Sequence, residues 1–442
     1  MNAPGPRGVA VVRALLALRR APQHAFSELR ARYGPVVRIP LGLRTFYIVG
    51  SPSAARHVLC DNARSYGKTT WSYELLRRVL GDGLLTSEGP TWRRQRRAIQ
   101  PAFHKSQLPA VAEAAAARAD ALLARLRACG DGVVLDLGEE MTTLALDVLA
   151  HAVLGAELGR DAPRLVSHLT SVLAYIRERT RRPVDFPASW PLPHHERFRA
   201  DLAALDGIAA RIVEARRSSP GGHDLVATLL AARDERGLPL SERELIDQLK
   251  TFLLAGHETT ANLLTWTLAI LSREPAAIAR VANEVRAVAG AGRVTVEQLA
   301  ELPFTRAVVA ESLRLYPPLW LVERRALAAD VLDGFAIEPG ATVAVSQYLL
   351  HRDALDFPEP ERFLPERFMH GERPRGYLPF GAGSRTCIGD AFALTQAAVV
   401  IARFAQASRA LRLELVDGRL PEPEAYVTLR PRGPVRVRVL TR

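Results

Sequence analysis

The sequence predicts a mainly α protein with small β-sheets, an α+β architecture, and three observations carry that expectation. From Ser53 to about Leu271 the chain is a succession of segments rich in Ala, Leu and Arg with apolar residues at helical spacing. They are broken only at Gly81-Asp82-Gly83, at Gly130-Asp131-Gly132, in the proline-rich stretch 183–193 and at 218–222. Ahead of them, Tyr33–Ile39 and Phe46–Gly50 are β-branched and aromatic runs separated by Gly42, the pattern of a hairpin. Behind them, short strand-like pieces recur between Phe335 and Ser346.

Composition limits the class further. With 48% hydrophobic and 24% charged residues, the chain can bury a large core and disorder does not dominate it. No repeat or low-complexity linker divides it, so one domain over 1–442 is expected, with a lead at 1–25, a helix-rich core over about 53–320 and a β-rich portion over about 321–442. The net charge of +12 comes mostly from arginine and points to an acidic partner rather than to nucleic acid. Three cysteines, widely spaced, exclude a disulfide scaffold and a paired-cysteine metal site, and suit a reducing cytoplasm. The apolar stretch Val9–Leu18 is interrupted by Arg13 and closed by Arg19-Arg20, well short of the ~20 residues a spanning helix needs, so no membrane anchor is expected.

The most chemical segment is Phe380-Gly381-Ala382-Gly383-Ser384-Arg385-Thr386-Cys387-Ile388-Gly389. Its glycines let the backbone turn tightly and approach a flat ligand, and Arg385 places a cation two residues before the sulfur; such a loop can ligate haem iron. A second segment, Trp92-Arg93-Arg94-Gln95-Arg96-Arg97, opens a helix after Gly89-Pro90, with Trp92 and Arg96 on one face and Arg93 and Arg97 on a neighbouring one.

Ser241 and Glu244 form a capping box ahead of a helix of about 30 residues, roughly 45 Å long, which is expected to be the central helix. Within it, Ala255-Gly256-His257-Glu258-Thr259-Thr260 combines a helix glycine with threonine hydroxyls that bond back to the preceding turn, so a bulge or groove is expected there. An acid beside a hydroxyl in such a groove is a proton-delivery pair. Downstream, Glu311 and Arg314 lie three apart on a helix ended by Pro317-Pro318, and Pro365-Glu366-Arg367-Phe368 follows in a proline-rich meander.

Four motifs in this order, Ala-Gly-x-Glu-Thr-Thr, Glu-x-x-Arg, Pro-Glu-Arg-Phe and Phe-x-x-Gly-x-Arg-x-Cys-x-Gly, make the chain resemble the cytochrome P-450 family of haem-thiolate monooxygenases, soluble bacterial type, from about Phe26 to Arg442. The resemblance implies the family fold, with haem b between a long central helix and the cysteine loop. It implies that Cys387 is the axial thiolate of the iron. Phe380, Gly381 and Gly389 would bind the haem, Phe380 packing beside its face on the cysteine side; Arg385, Trp92, Arg96 and Arg324 would hold the propionates; Ala255 and Gly256 would leave room at the opposite haem face. Glu258 and Thr259 would deliver protons there. Glu311, Arg314 and Arg367 would form a buried network that locks the meander behind the loop.

The same resemblance implies O2 as cosubstrate and NAD(P)H as an indirect electron source through a ferredoxin or flavodoxin with its reductase, docking on Arg93, Arg94 and Arg97. The product would be a hydroxylated or epoxidised hydrophobic small molecule such as a terpenoid, fatty acid or other secondary metabolite. Trp71, Tyr73, Phe252, Trp320, Leu321, Val322 and Thr428 are the expected pocket lining. A monomer is expected. Two other functions fit parts of the pattern: a haem-thiolate isomerase or dehydratase acting on a peroxide, and a non-catalytic haem-binding sensor.

Overall fold

The structure is a computed structural model that describes all residues except 43, 182–189, 191, 220, 223, 234–236 and 442, together with the side chains of 160, 180 and 181. The expected breaks at 183–193 and 218–222 fall partly outside the described residues. The chain divides into two compact units, each assembled from three separate stretches. The first comprises Met1–Leu75, Ala310–Cys387 and Pro423–Arg430; the second comprises Leu76–Val309, Ile388–Glu422 and Pro431–Arg442.

The first unit is built on a five-stranded sheet. Its strands are β1 (Val36–Leu41), β2 (Arg44–Val49), β3 (Tyr66–Gly67), β4 (Val322–Ala326) and β5 (Thr342–Val345), in the order β1-β2-β5-β4-β3. The expected hairpin forms from β1 and β2, with Val36 opposite Val49 and Leu41 opposite Arg44. Val36, Val37 and Ile39 are fully buried, so the start of β1 is covered on both faces, while Arg38 between them reaches Glu338 at 3.1 Å. β2 pairs with β5 in parallel and β5 with β4 antiparallel, setting Arg324 opposite Val343. One core beneath the sheet gathers Tyr47, Val58, Tyr66 and Val345; a second gathers Phe26, Ile48, Trp320 and Leu349. Leu15 and Leu18 of the helix Val9–Arg20 pack against this second core.

The second unit is helical. Its longest element, Glu242–Leu271, has 30 residues and starts with the capping box that the sequence announces: Ser241 accepts from the Glu244 amide while the Glu244 carboxylate takes the Ser241 N–H. The helix is buried almost all round, as its apolar sequence requires. Lys250 is tolerated inside because its ammonium lies 2.7 Å from Asp206 and 3.4 Å from Asp247. Against this helix pack Leu137–Val148, Pro193–Ser218 and Asp390–Ala407, with Leu108–Ala128 packed on the first and last of these; the unit also holds a three-stranded sheet of Val134–Asp136, Arg436–Thr441 and Leu411–Leu415. No described helix is long and apolar enough to cross a membrane.

Candidate active site

Cys387 ends a loop whose shape is set by its own backbone. The Cys387 N–H donates to the Phe380 carbonyl (3.0 Å), closing a ring over residues 380–387, and Gly381 donates to Leu378 (3.0 Å). Inside the ring, Gly383–Arg385 is one 3-10 turn, capped where both the amide and the hydroxyl of Thr386 donate to the Gly383 carbonyl (3.1 and 2.9 Å). Gly383 is required twice over. Its φ is +72°, and a Cβ there would lie 2.0 Å from the Leu59 carbonyl oxygen. The loop is thus pressed against the Leu59–Cys60 backbone, and the Cys387 side chain stays exposed at its end.

Behind the loop lies the charge network. Arg314 and Glu311 are fully buried, with Nε to Oε2 at 2.7 Å and Nη2 to Oε1 at 2.8 Å. The remaining guanidinium protons go to the carbonyls of His351 (3.0 Å), Pro360 (2.6 Å) and Arg362 (3.0 Å), so all five donors are used. Glu311 also receives the Leu364 amide (2.9 Å) and lies 3.4 Å from Arg367, which donates in turn to the Glu359 carbonyl. Glu311, Arg314 and Arg367 are therefore brought together. His351 extends the network to the loop: its Nε2 accepts the Leu378 amide (3.0 Å) and its Nδ1 donates to the Arg314 carbonyl (3.2 Å). That pair of partners fixes a neutral tautomer, and burial, with Arg352 nearby, pushes its pKa down to about 3.

The first unit also gathers cations beside the loop. Arg324, buried on β4, donates to the Glu323 carbonyl (2.9 Å) and bonds the Tyr73 hydroxyl, with Arg385 close enough to act on the same phenol. Burial pushes the Tyr73 hydroxyl up while the two arginines oppose it. Buried Lys68 sits 4.9 Å over the Tyr73 ring. Burial also pushes the Glu323 carboxyl up, against hydrogen bonds from Thr70 (2.8 Å) and Ser72. Three cations converging on one tyrosine suit a carboxylate ligand. Lys68 and Glu323 escaped the sequence reading because neither lies in a motif; only the fold places them beside Arg324.

In the second unit, Trp92 and Arg96 are half-buried on the helix Gly89–Ile99, Arg93 and Arg97 are exposed, and Arg94 pairs with Glu244. Arg93, Arg94 and Arg97 border a groove of about 740 Å³ with Arg233. On the central helix, Ala255, Gly256, Glu258, Thr259 and Asn262 are half-exposed amid buried neighbours, and their spacing puts them on one face. The expected bulge does not form: Glu242–Leu271 is one uninterrupted α-helix, because each threonine bonds back within it, Thr259 to the Ala255 carbonyl (2.8 Å) and Thr260 to Gly256 (3.1 Å). Gly256 serves packing, since a Cβ there would meet a Leu149 methyl at 2.9 Å.

Several expected pocket residues have other uses. Trp320 is buried against Phe26 (5.5 Å) and spends its indole N–H on the Tyr426 carbonyl (3.0 Å). Phe252 is buried against Phe103 (5.2 Å), which also meets Phe392 (5.0 Å). Val322 belongs to β4, Leu321 packs against the second core, and Tyr73 belongs to the cation cluster. Thr428 is buried and Trp71 half-buried. Apolar composition describes core and pocket wall alike, and these contacts show what each side chain packs against.

The residues present fit a haem. In the first unit, a thiol on a rigid loop is a soft iron donor and the Arg324–Arg385–Lys68 cluster matches carboxylates; the helix strip of the second unit, taken by itself, offers small side chains beside an acid and a hydroxyl. Among the described residues no group of three or more His, Cys, Asp or Glu could hold a metal without such a group.

The buried histidines set a pH dependence. His351 at about 3 and His257 at about 4, the latter lowered by burial although it bonds the Leu253 carbonyl, both take up a proton near 6.5 on unfolding. Their folded values are depressed, so their contribution is complete above about 6.5 and is lost as pH falls toward 4 and then 3. Denaturant unfolding followed from pH 7 to 5 is expected to show each costing roughly 2 kcal/mol at pH 5. His351→Gln should remove about half of that slope, whatever it does to stability at pH 7.

Comparison with known proteins agrees with this geometry. The cytochrome P450 family model matches residues 3–436. The chain is 34% identical to cyclooctatin synthase of Streptomyces melanosporofaciens, over 98% of this chain and 94% of that protein. It is 35% identical to cyclooctat-9-en-7-ol 5-monooxygenase of the same organism, over 90% and 87%. It is 34% identical to pentalenene oxygenase of Streptomyces avermitilis, again over 90% of this chain and 88% of the relative. With motifs, site geometry and near full-length similarity in agreement, the chain belongs to the cytochrome P450 family.

Proposed function

We propose that this P450 monooxygenase inserts one oxygen atom of O2 into a cyclic terpenoid, by C–H hydroxylation or epoxidation, in the cytoplasm. The observation that carries the reading is Cys387 on a glycine-braced loop held by a fully buried ion network. Relatives named for a cyclooctatenol and for pentalenene favour a cyclic terpenoid over a fatty acid. Cys387 would hold haem b through its thiolate, and Arg385, Arg324, Trp92 and Arg96 would hold the propionates, with Lys68 and Tyr73 supporting Arg324. Bound haem would supply dioxygen activation, using electrons from NAD(P)H relayed by a ferredoxin or flavodoxin and its reductase.

The remaining work falls to the chain's own side chains. Thr259 donates its proton to the Ala255 carbonyl, so its oxygen is left to accept a hydrogen bond from water; it can donate only by rotating off that carbonyl. Glu258, half-exposed one residue before, can hold and reload the proton that such a water passes on. The apolar bulk around the strip orients the substrate and excludes bulk water. This acid–hydroxyl pair favours the monooxygenase over a peroxide isomerase, which needs no proton delivery.

The first test is the carbon monoxide difference spectrum of the reduced protein. A strongly red-shifted Soret band is expected, and Cys387→Ser should abolish that shift; an unshifted band in the unaltered protein would end the assignment of Cys387. The second is coupling. In Thr259→Ala, with haem content unchanged, product formed per electron pair should fall at least roughly tenfold and hydrogen peroxide should accumulate, whereas unchanged coupling removes Thr259 from the proton path. The third concerns the partner. Arg93 and Arg97 are the exposed cations of this helix, Arg94 being paired with Glu244, so reduction by an acidic ferredoxin should slow as ionic strength rises. Arg93→Glu with Arg97→Glu should flatten that salt dependence; a salt-independent rate in the unaltered protein would remove this face as the docking surface.

A further inference from the structure

The helix Val9–Arg20 turns an unusual face to solvent. Val9 is 71% exposed, Val12 57% and Leu16 48%, each large, apolar and outside either core. Arg13, Arg19 and Arg20 are exposed on the same helix. On a projection at about 100° per residue, Val12, Leu16 and Val9 form one continuous stripe, with Arg19 on one flank and Arg20 and Arg13 on the other. The opposite side is accounted for: Ala14 is buried, and Leu15 and Leu18 pack against the core. No Asp or Glu precedes Glu28, whereas Arg7, Arg13, Arg19 and Arg20 all do.

We infer that this helix is a docking surface for an anionic lipid bilayer, held there peripherally and reversibly. An apolar stripe bracketed by arginines is the arrangement that lies in a membrane interface: the stripe enters the acyl boundary, and the long arginine stems reach outward to phosphates. The exposed stripe runs from Val9 to Leu16, roughly 10 Å at 1.5 Å per residue, enough for shallow burial and far too short to span. Beside Leu16 a groove of about 400 Å³, bordered by Arg13, Arg20 and His24 with Glu28 at its edge, offers room for a phosphate headgroup. The charge pattern selects this occupant. A second copy of the chain docking through the same face would set arginines against arginines, whereas a bilayer carrying anionic headgroups complements them along the whole stripe.

The test is flotation of the haem-loaded, full-length protein with vesicles of phosphatidylglycerol and phosphatidylcholine, compared with pure phosphatidylcholine. The protein is expected to float with the anionic vesicles, to do so much less with the zwitterionic ones, and to be released at high salt. Each arginine reversed in Arg13→Glu, Arg19→Glu and Arg20→Glu should lower partitioning by roughly fivefold or more. Val12→Asp with Leu16→Asp should abolish it at any salt, while thermal unfolding stays unchanged because all these side chains are exposed. Failure to float, flotation equal on both vesicle types, or flotation indifferent to these substitutions would each overturn the inference. So would a dimer lost in Val12→Asp with Leu16→Asp in place of vesicle binding, since that would make a second copy the occupant.

Discussion

Arg314 is the group on which the cysteine loop depends. Its five N–H donors are all spent, two on Glu311 and three on backbone carbonyls of the meander and its approach. Those carbonyls belong to a stretch with little regular secondary structure of its own, where buried polar backbone would otherwise lack partners. A lysine could not substitute, because a point charge with three donors cannot fork to a carboxylate and reach three further oxygens. Desolvating the Glu311–Arg314 pair is costly, so the pair is better understood as fixing one meander conformation than as adding net stability. His351 then conveys that conformation onward: one ring nitrogen bonds the helix of Arg314 and the other the amide of Leu378, two residues before Phe380 opens the loop.

The first unit thereby solves two problems with one scaffold. The network holds the loop from behind, while β4 brings Arg324 beside Tyr73 and Lys68. Strand pairing sets the position of Arg324 through its register with Val343, so the placement of this cation is inherited from the sheet rather than from a flexible loop. A side chain carried by a paired strand loses less freedom on binding than one that must be ordered from a loop.

What was legible in the sequence was local. The hairpin, the capping box and the Glu311–Arg314 pair each depend on residues a few positions apart, and their spacing states the geometry. The cysteine loop was legible as a possible ligand carrier because glycine and arginine flank the sulfur. The links of His351 were not legible, since Arg314 and Leu378 lie 37 and 27 residues away, and Lys68, though near Tyr73 in sequence, was not legible because only the fold brings Arg324 to the same tyrosine. For Trp320 and Phe252 the sequence showed bulk but not partners, because an aromatic side chain in a core and one on a pocket wall look alike in sequence. The central helix was misjudged differently: glycine and threonine suggested a weakened ladder, yet the threonine hydroxyls bond back inside an intact helix and Gly256 makes room for Leu149.

The excess of arginine teaches the same lesson about bulk quantities. A net charge of +12 suggested one acidic partner, but the structure divides that charge among different duties. Arg314 and Arg324 are buried and committed to the framework and to the cation cluster. Arg94 is paired with Glu244, so the run at 93–97 is less cationic than it reads. What remains at the surface lies on distinct features, Arg93 and Arg97 on one helix and Arg13, Arg19 and Arg20 beside an apolar stripe on another. Screening acts over about 10 Å at 0.1 M salt, so a ligand meets only the charges within its own footprint. Recognition by this protein is therefore set by which arginines stand exposed together and what lies between them, and the total charge is a sum over unrelated surfaces.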